Sequence, residues 1–324
     1  MVMFPLVNPN DARGPAAPGT IRDLLLLGRL HFPFGGLLLY AFGALIAWRL
    51  GADVGLNRVV LGYLVMLPGH LSVSYSNDAF DLEADRSNTP TLFSGGSGVL
   101  VRRPELRGAA IAIALGLIAA SLVLAVVFSI VHEVDWRFLA LVVVGNAVGW
   151  FYTAPPLRLI YRGYGEIATA MTVGLLVPVV GYIATGAPLE PELLWLAPMS
   201  IAYGVLFVFG VQLPDREADA AFGKPNWTAR MRPNTAIVAM AGLCVFATLW
   251  LTGIAVALGT VAAGAGGGVT LWPLALASLI PTVTAVAVLA ARIVDGGLAA
   301  VRPTGPIILG AQMAFMIAAN LILA

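Results

Sequence analysis

Nine stretches of mostly apolar residues, each close to the length that carries a helix across a bilayer, govern what this chain can become. About 20 such residues span the hydrocarbon layer, and here they fall at 30–50, 58–77, 107–131, 138–154, 166–186, 193–213, 234–258, 271–291 and 305–324. Charged residues make up 11% of the chain and hydrophobic ones 59%. Soluble domains carry roughly 25% charged residues, so this chain cannot cover a water-facing surface. The expected fold class is all-α, a polytopic integral membrane protein, with the lipid bilayer as its solvent and no nucleic acid as a partner.

Lysine and arginine set the expected orientation, because segments facing the cytoplasm retain them. With the N-terminus inside, fifteen basic residues fall in inner segments, and only Arg49, Arg58 and Arg137 fall in outer ones. An odd number of spans then places the C-terminus outside. Residues 1–22 read as a short cytoplasmic tail without the pattern of a cleaved signal, and 1–324 as a single transmembrane domain. One cysteine, Cys244, leaves no disulfide framework. Pro33, Pro68, Pro178, Pro198 and Pro281 fit ordinary packing of membrane helices. His70, Asn146 and Asn320 are expected to be polar contacts between helices, and the Gly/Ala run at 264–268 a tether.

Acidic residues concentrate where spans two and six emerge on the inner side. The first cluster is Asn77-Asp78-x-x-Asp81-x-x-x-Asp85, and the second is Asp215-x-x-x-Asp219. At about 100° per residue the four side chains of the first cluster share one helical face, with Glu83 opposite. Asp215 and Asp219 share a face one turn apart, and Glu217 does not. The strings 81–85 and 215–219 also resemble each other, which hints at an internal duplication. Carboxylates that converge repel one another unless a cation intervenes. Mg²⁺ takes oxygen ligands and is commonly shared between carboxylates and substrate phosphates. A diphosphate so bridged leaves more readily.

Basic groups stand near both clusters. Arg86 follows the first, and Lys224, the only lysine in the chain, follows the second. The loop after span four carries Tyr152, a proline pair that ends the helix, then Arg158 and Arg162. The Gly/Ser run at 93–98 reads either as a flexible linker or as a backbone-amide cradle for anionic oxygens.

Together these residues resemble the UbiA superfamily of intramembrane prenyltransferases. Both Asp motifs match the family pattern, Lys224 falls at the lysine that usually follows the second, and 152–159 looks like the segment after the fourth helix. The resemblance implies nine transmembrane helices around a central cavity capped by cytoplasmic loops. It further implies that Asn77, Asp78, Asp81, Asp85, Asp215 and Asp219 bind two Mg²⁺. Lys224, Arg158, Arg86 and Arg162 would hold the diphosphate of a polyprenyl diphosphate, with Tyr152 lining the cavity. Arg29 and His31 lie near where the family often places acceptor-recognition groups. The strings 91–100 and 213–219 look most like the MenA-like branch, which prenylates quinone precursors such as 1,4-dihydroxy-2-naphthoate in menaquinone biosynthesis. Where better-known members carry paired asparagines before the second motif, this chain has Val211 and Gln212. Lys224 is also followed by a proline in place of the family's usual sequence.

Three other readings compete. A UbiA-type terpene cyclase, or a prenyltransferase acting on a non-quinone acceptor, would use the same Asp motifs. A non-catalytic isoprenoid-binding protein descended from the enzyme would have little reason to keep them. A transporter would place acids at mid-membrane depth, and no acid is evident inside an apolar stretch.

Overall fold

The apolar stretches fold as helices close to the expected limits in the computed structural model, which describes residues 19–86, 96–190, 193–221, 226–262, 270–294 and 303–324. The tail at 1–18, residues 91–95, Lys224, the tether at 264–268 and Arg302 therefore lie outside the described residues. The long helices among the described residues are α1 (His31–Arg49), α2 (Leu56–Phe80), α3 (Arg107–Val131), α4 (Trp136–Phe151), α5 (Gly165–Ala184), α6 (Leu193–Gln212), α7 (Pro233–Ala262), α8 (Trp272–Val294) and α9 (Thr304–Leu323). Among the described residues there is no strand. Among the described residues eight apolar helices are long enough to cross a membrane, and α4, with 16 residues, is shorter.

Six helices form a ring in which each packs against the next: α1, α2, α4, α5, α6 and α9, which returns to α1. Helix α3 packs outside α2 and α4, while α7 and α8 pack outside α6 and α9. Ile130, Leu249 and Val283 on these outer helices are more than half exposed. Such a surface would be an aggregation liability in water, and in hydrocarbon it is what a membrane helix presents.

One end of the ring is closed by backbone contact. Helices α1 and α5 cross so tightly that a Cβ on Gly43 would strike the Pro178 carbonyl, and one on Gly181 the Tyr40 carbonyl. Small residues permit that approach in membranes, where packing rather than hydrophobicity drives helix association. Just before the crossing, α5 contains a π turn at Thr172–Leu176. Pro178 cannot donate the helical hydrogen bond that Gly174 would otherwise accept, which favours such a local rearrangement. Arg49 ties the closed end to the C-terminus through Nε to the Leu323 carbonyl at 2.8 Å.

The other end stays open because helices terminate there. Helix α2 runs to Phe80, then breaks at Asp81 (φ −98°, ψ 6°) and resumes as Leu82–Asp85. The expected single helical face is thus two helical pieces joined by a bend. The second motif differs again: Pro214 lies in a 3₁₀ turn, Leu213–Asp215, ahead of the short helix Arg216–Ala221.

Candidate active site

A cavity of about 410 Å³ occupies the ring and opens toward the broken helix ends. Asn77, Asp78, Asp81, Asp85, Asp215 and Asp219 all line it. Two segments 134 positions apart in the sequence therefore present their carboxylates to one space. Glu83 and Glu217 turn outward, with side chains 75% and 77% exposed. Tyr152, just beyond α4, lines the cavity as well.

Each motif is held by groups from the loops around it. Asp78 is almost fully buried, and its Oδ2 accepts from the Ser97 amide at 2.9 Å and from the Ser97 hydroxyl. Its Oδ1 is buried without a hydrogen-bond partner. Asn77 Oδ1 accepts from the Thr153 hydroxyl at 3.0 Å, and Asp81 Oδ1 from the Tyr161 hydroxyl at 2.7 Å. Asp219 Oδ2 accepts from Asn226 Nδ2 at 2.6 Å. Gly96, at φ +67°, sits so close to Asp85 that any side chain there would strike its carboxylate. In the described part of the Gly/Ser run, the Ser97 amide thus serves a carboxylate of the first motif.

The cations are distributed unevenly. Arg29 lines the cavity, lies in the field of Asp78, Asp85 and Asp215, and leaves Nη2 buried without a hydrogen-bond partner. The sequence pointed Arg29 toward the acceptor, and the fold brings it within the field of both acidic motifs. His31 lines the same space, with its ring 4.6 Å from that of Phe32. Arg158 stacks 4.0 Å over Tyr161, the residue bonded to Asp81, and so stands one side chain behind the motif. The structure does not bring Arg86 or Arg162 to the cavity. Arg86 pairs with Glu83 at 2.8 Å on the surface, because a partner three residues back is within easy reach. Arg162 Nη2 donates to the Pro156 carbonyl at 2.9 Å.

The sequence marked Gln212 only as standing where better-known members carry an asparagine, and it did not single out the roles of Asn226 and Glu166. Gln212 is buried in the cavity wall, and neither its Oε1 nor its Nε2 has a partner. Its spacing to Asp215 and Asp219, three and seven residues, was the available signal. Asn226 holds Asp219 and also accepts from the Ala229 amide at 2.7 Å, capping the turn Trp227–Arg230. Glu166, fully buried in the first turn of α5, accepts from the Trp227 amide at 2.5 Å. An acid does therefore begin one apolar helix, and it docks a loop. His70 and Asn146 line the cavity and also make the expected contacts between helices, Asn146 Nδ2 donating to the Ser121 hydroxyl of α3 at 3.1 Å and the His70 ring lying against Gly36 of α1. Asn320 meets the expectation, donating to the Leu38 carbonyl at 3.1 Å.

Among the described residues no three His, Cys, Asp or Glu side chains are placed to hold an ion by themselves. The donor set still suits a hard cation: carboxylate oxygens around one mouth, with one of them, Asp78 Oδ1, orphaned at 3% residue exposure. Carboxylates spread in this way call for a ligand that contributes oxygens of its own.

The sequence profile of the UbiA prenyltransferase family matches residues 36–261. Among solved structures, a UbiA homolog from Archaeoglobus fulgidus bound to GPP and Mg²⁺ superposes with a TM-score of 0.63 at 16% identity, covering 93% of this chain and 99% of that one. A digeranylgeranylglyceryl phosphate synthase gives 0.61 at 15% identity, covering 94% and 98%. An apo UbiA homolog from Aeropyrum pernix K1 gives 0.60 at 17% identity, covering 88% and 96%. At these identities the likeness is one of fold. No curated protein matches the sequence.

Proposed function

Because the chain belongs to the UbiA prenyltransferase family, we propose that this integral membrane prenyltransferase moves a polyprenyl chain from its diphosphate to an aromatic quinone precursor such as 1,4-dihydroxy-2-naphthoate. The observation that carries this reading is the convergence of five Asp side chains from two motifs on one cavity whose deeper walls are apolar. The whole chain acts as one catalytic unit, with the acidic mouth on the cytoplasmic side, the N-terminus inside and the C-terminus outside.

Asn77, Asp78, Asp81, Asp85, Asp215 and Asp219 are the residues to hold two Mg²⁺, as the Mg²⁺- and GPP-bound homolog suggests. When bound, Mg²⁺ supplies positive charge against which a diphosphate can depart. Lys224 and Arg158 are assigned to the diphosphate, while Arg29, in the field of Asp78, Asp85 and Asp215, is assigned to the acceptor. Arg86 and Arg162 are assigned to the diphosphate as well. Tyr152 flanks the space in which the allylic cation forms, and His31 contacts the acceptor. Walls such as Val177 and Leu176 keep water from the cation until the acceptor carbon attacks it. Transfer to a non-quinone acceptor is the second reading, prompted by the glyceryl phosphate synthase neighbour.

The test is mass spectrometry of products formed by the purified protein from labelled GPP, Mg²⁺ and a panel of acceptors. A prenylated naphthoate is expected, and chelation by EDTA should silence its formation. A hydrocarbon product made equally well without acceptor would replace transfer with cyclisation.

A further inference from the structure

Both acidic motifs are braced by one connecting segment, which runs from Thr153, just beyond α4, to Glu166 in the first turn of α5. The Thr153 hydroxyl donates to Asn77, and further on the Tyr161 hydroxyl donates to Asp81. The segment is folded on itself. The Ile160 amide donates to the Tyr152 carbonyl, the Arg158 amide to the Ala154 carbonyl and the Tyr164 amide to the Leu159 carbonyl, each at 3.0 Å. Ile160 is buried against Gly165, where any side chain would strike it. A connection packed so closely carries position from one end to the other.

Glu166 joins that segment to the second motif. Its Oε1 accepts from the Trp227 amide at 2.5 Å, and among the described residues its Oε2 is buried without a partner. Beside Trp227 stands Asn226, which has no exposed surface. Asn226 Oδ1 is engaged by the Thr228 hydroxyl at 3.1 Å and the Ala229 amide at 2.7 Å, which turns its Nδ2 to Asp219 at 2.6 Å. The Trp227 ring also meets Phe209 of α6 edge-on, with 6.0 Å between centroids. That apolar contact keeps the turn near α6, whereas a bond from a carboxylate to one backbone amide fixes its register. Burying an acid for a single bond is unfavourable for the fold, and an apolar side chain would fill the place with less penalty. What the acid adds is an acceptor at a fixed point.

We propose that Glu166 is a positioning residue for the second acidic motif: through the Trp227 amide and Asn226 it sets where Asp219 stands. Because Thr153 and Tyr161 lie on the same segment, it thereby fixes the spacing between the two motifs. The proposal rests on the metal–diphosphate reading of those motifs and deepens it, since Mg²⁺ tolerates little departure from its preferred geometry.

The test is equilibrium binding of geranyl thiolodiphosphate to the purified full chain, titrated with Mg²⁺. In this probe sulfur replaces the bridging oxygen, so the chain is not released. Three variants separate reach from charge. Glu166→Gln keeps an acceptor oxygen at the same reach, Glu166→Asp keeps the charge one methylene short, and Glu166→Ala removes both. The Mg²⁺ concentration for half-maximal binding should stay within about twofold of wild type in E166Q and rise about tenfold in E166D and E166A, as for other groups that orient metal ligands. Adding Glu166→Ala to Asn226→Ala should change it less than about twofold further, because the two act along one chain of contacts. An E166Q protein that is as impaired as E166A, or that does not fold, would overturn the proposal. So would wild-type Mg²⁺ dependence in E166A and E166D, whatever their thermal stability, or effects of Glu166→Ala and Asn226→Ala that multiply. The contrast between E166Q and E166D decides the matter if E166A fails to fold. Wild-type binding indifferent to Mg²⁺ would overturn the metal reading and the proposal with it. A wild type that needs Mg²⁺ to bind the probe yet transfers no chain from GPP to any acceptor would overturn transfer alone.

Discussion

In the first acidic motif the carboxylates are held by residues far along the chain: Asp78 by Ser97, 19 positions on, and Asp81 by Tyr161, 80 positions on. In the second motif Asp219 is held by Asn226, only seven positions on. Asn226 in turn caps the adjoining turn Trp227–Arg230, which is fastened to α5 through Glu166. The two strings are nearly alike as sequence, but one is positioned by tertiary contacts and the other by a local brace. A pattern of acids can thus be repeated while its support is rebuilt each time from whatever the fold places nearby.

The largest effect should come from removing a carboxylate outright. Asp78→Ala and Asp215→Ala should each lower kcat about 10²- to 10³-fold in a prenyl-transfer assay, comparable to deleting a strong electrostatic contact to a transition state. A much milder loss at one motif would show that the two do not share one task. Next comes the local brace. Asn226→Ala removes both the bond to Asp219 and a helix cap, and caps contribute about 1 kcal/mol. It should cost about tenfold in kcat and also lower the thermal midpoint by a few degrees. Ser97→Ala should be weaker, about three- to fivefold, because the backbone amide still donates to Asp78. If Ser97→Ala proves the more damaging, the hydroxyl rather than the amide positions that carboxylate. Smallest of all, Glu83→Ala and Glu217→Ala should stay within about twofold, as surface ion pairs contribute little. A large loss at either would break the distinction between inward and outward acids.

The outward turn of Glu83 and Glu217 was legible in the sequence, since helical spacing assigns a face whether or not the helix later bends. The bend at Asp81 was not legible, and it was not needed: Leu82–Asp85 resumes the helix and Asp85 still lines the cavity. Arg86 illustrates the opposite case. Adjacency to the motif suggested a role, and the structure pairs its guanidinium with Glu83 on the surface. Arg29 lies 49 positions ahead of Asp78 in the chain, and nothing local announced that the two would share a field.

By itself the sequence determined that this is a membrane-embedded helical protein, where its helices lie, and that two acidic motifs end two of them. Those are properties of length, hydropathy and periodicity, which act within one segment at a time. Only the tertiary structure decided which cations reach the acids, that Asn226 belongs to the site, and that His70 and Asn146 line a cavity as well as touching neighbouring helices. Those outcomes depend on how helices rotate and cross, and the crossings are set by close backbone approach at a few small residues such as Gly43 and Gly181.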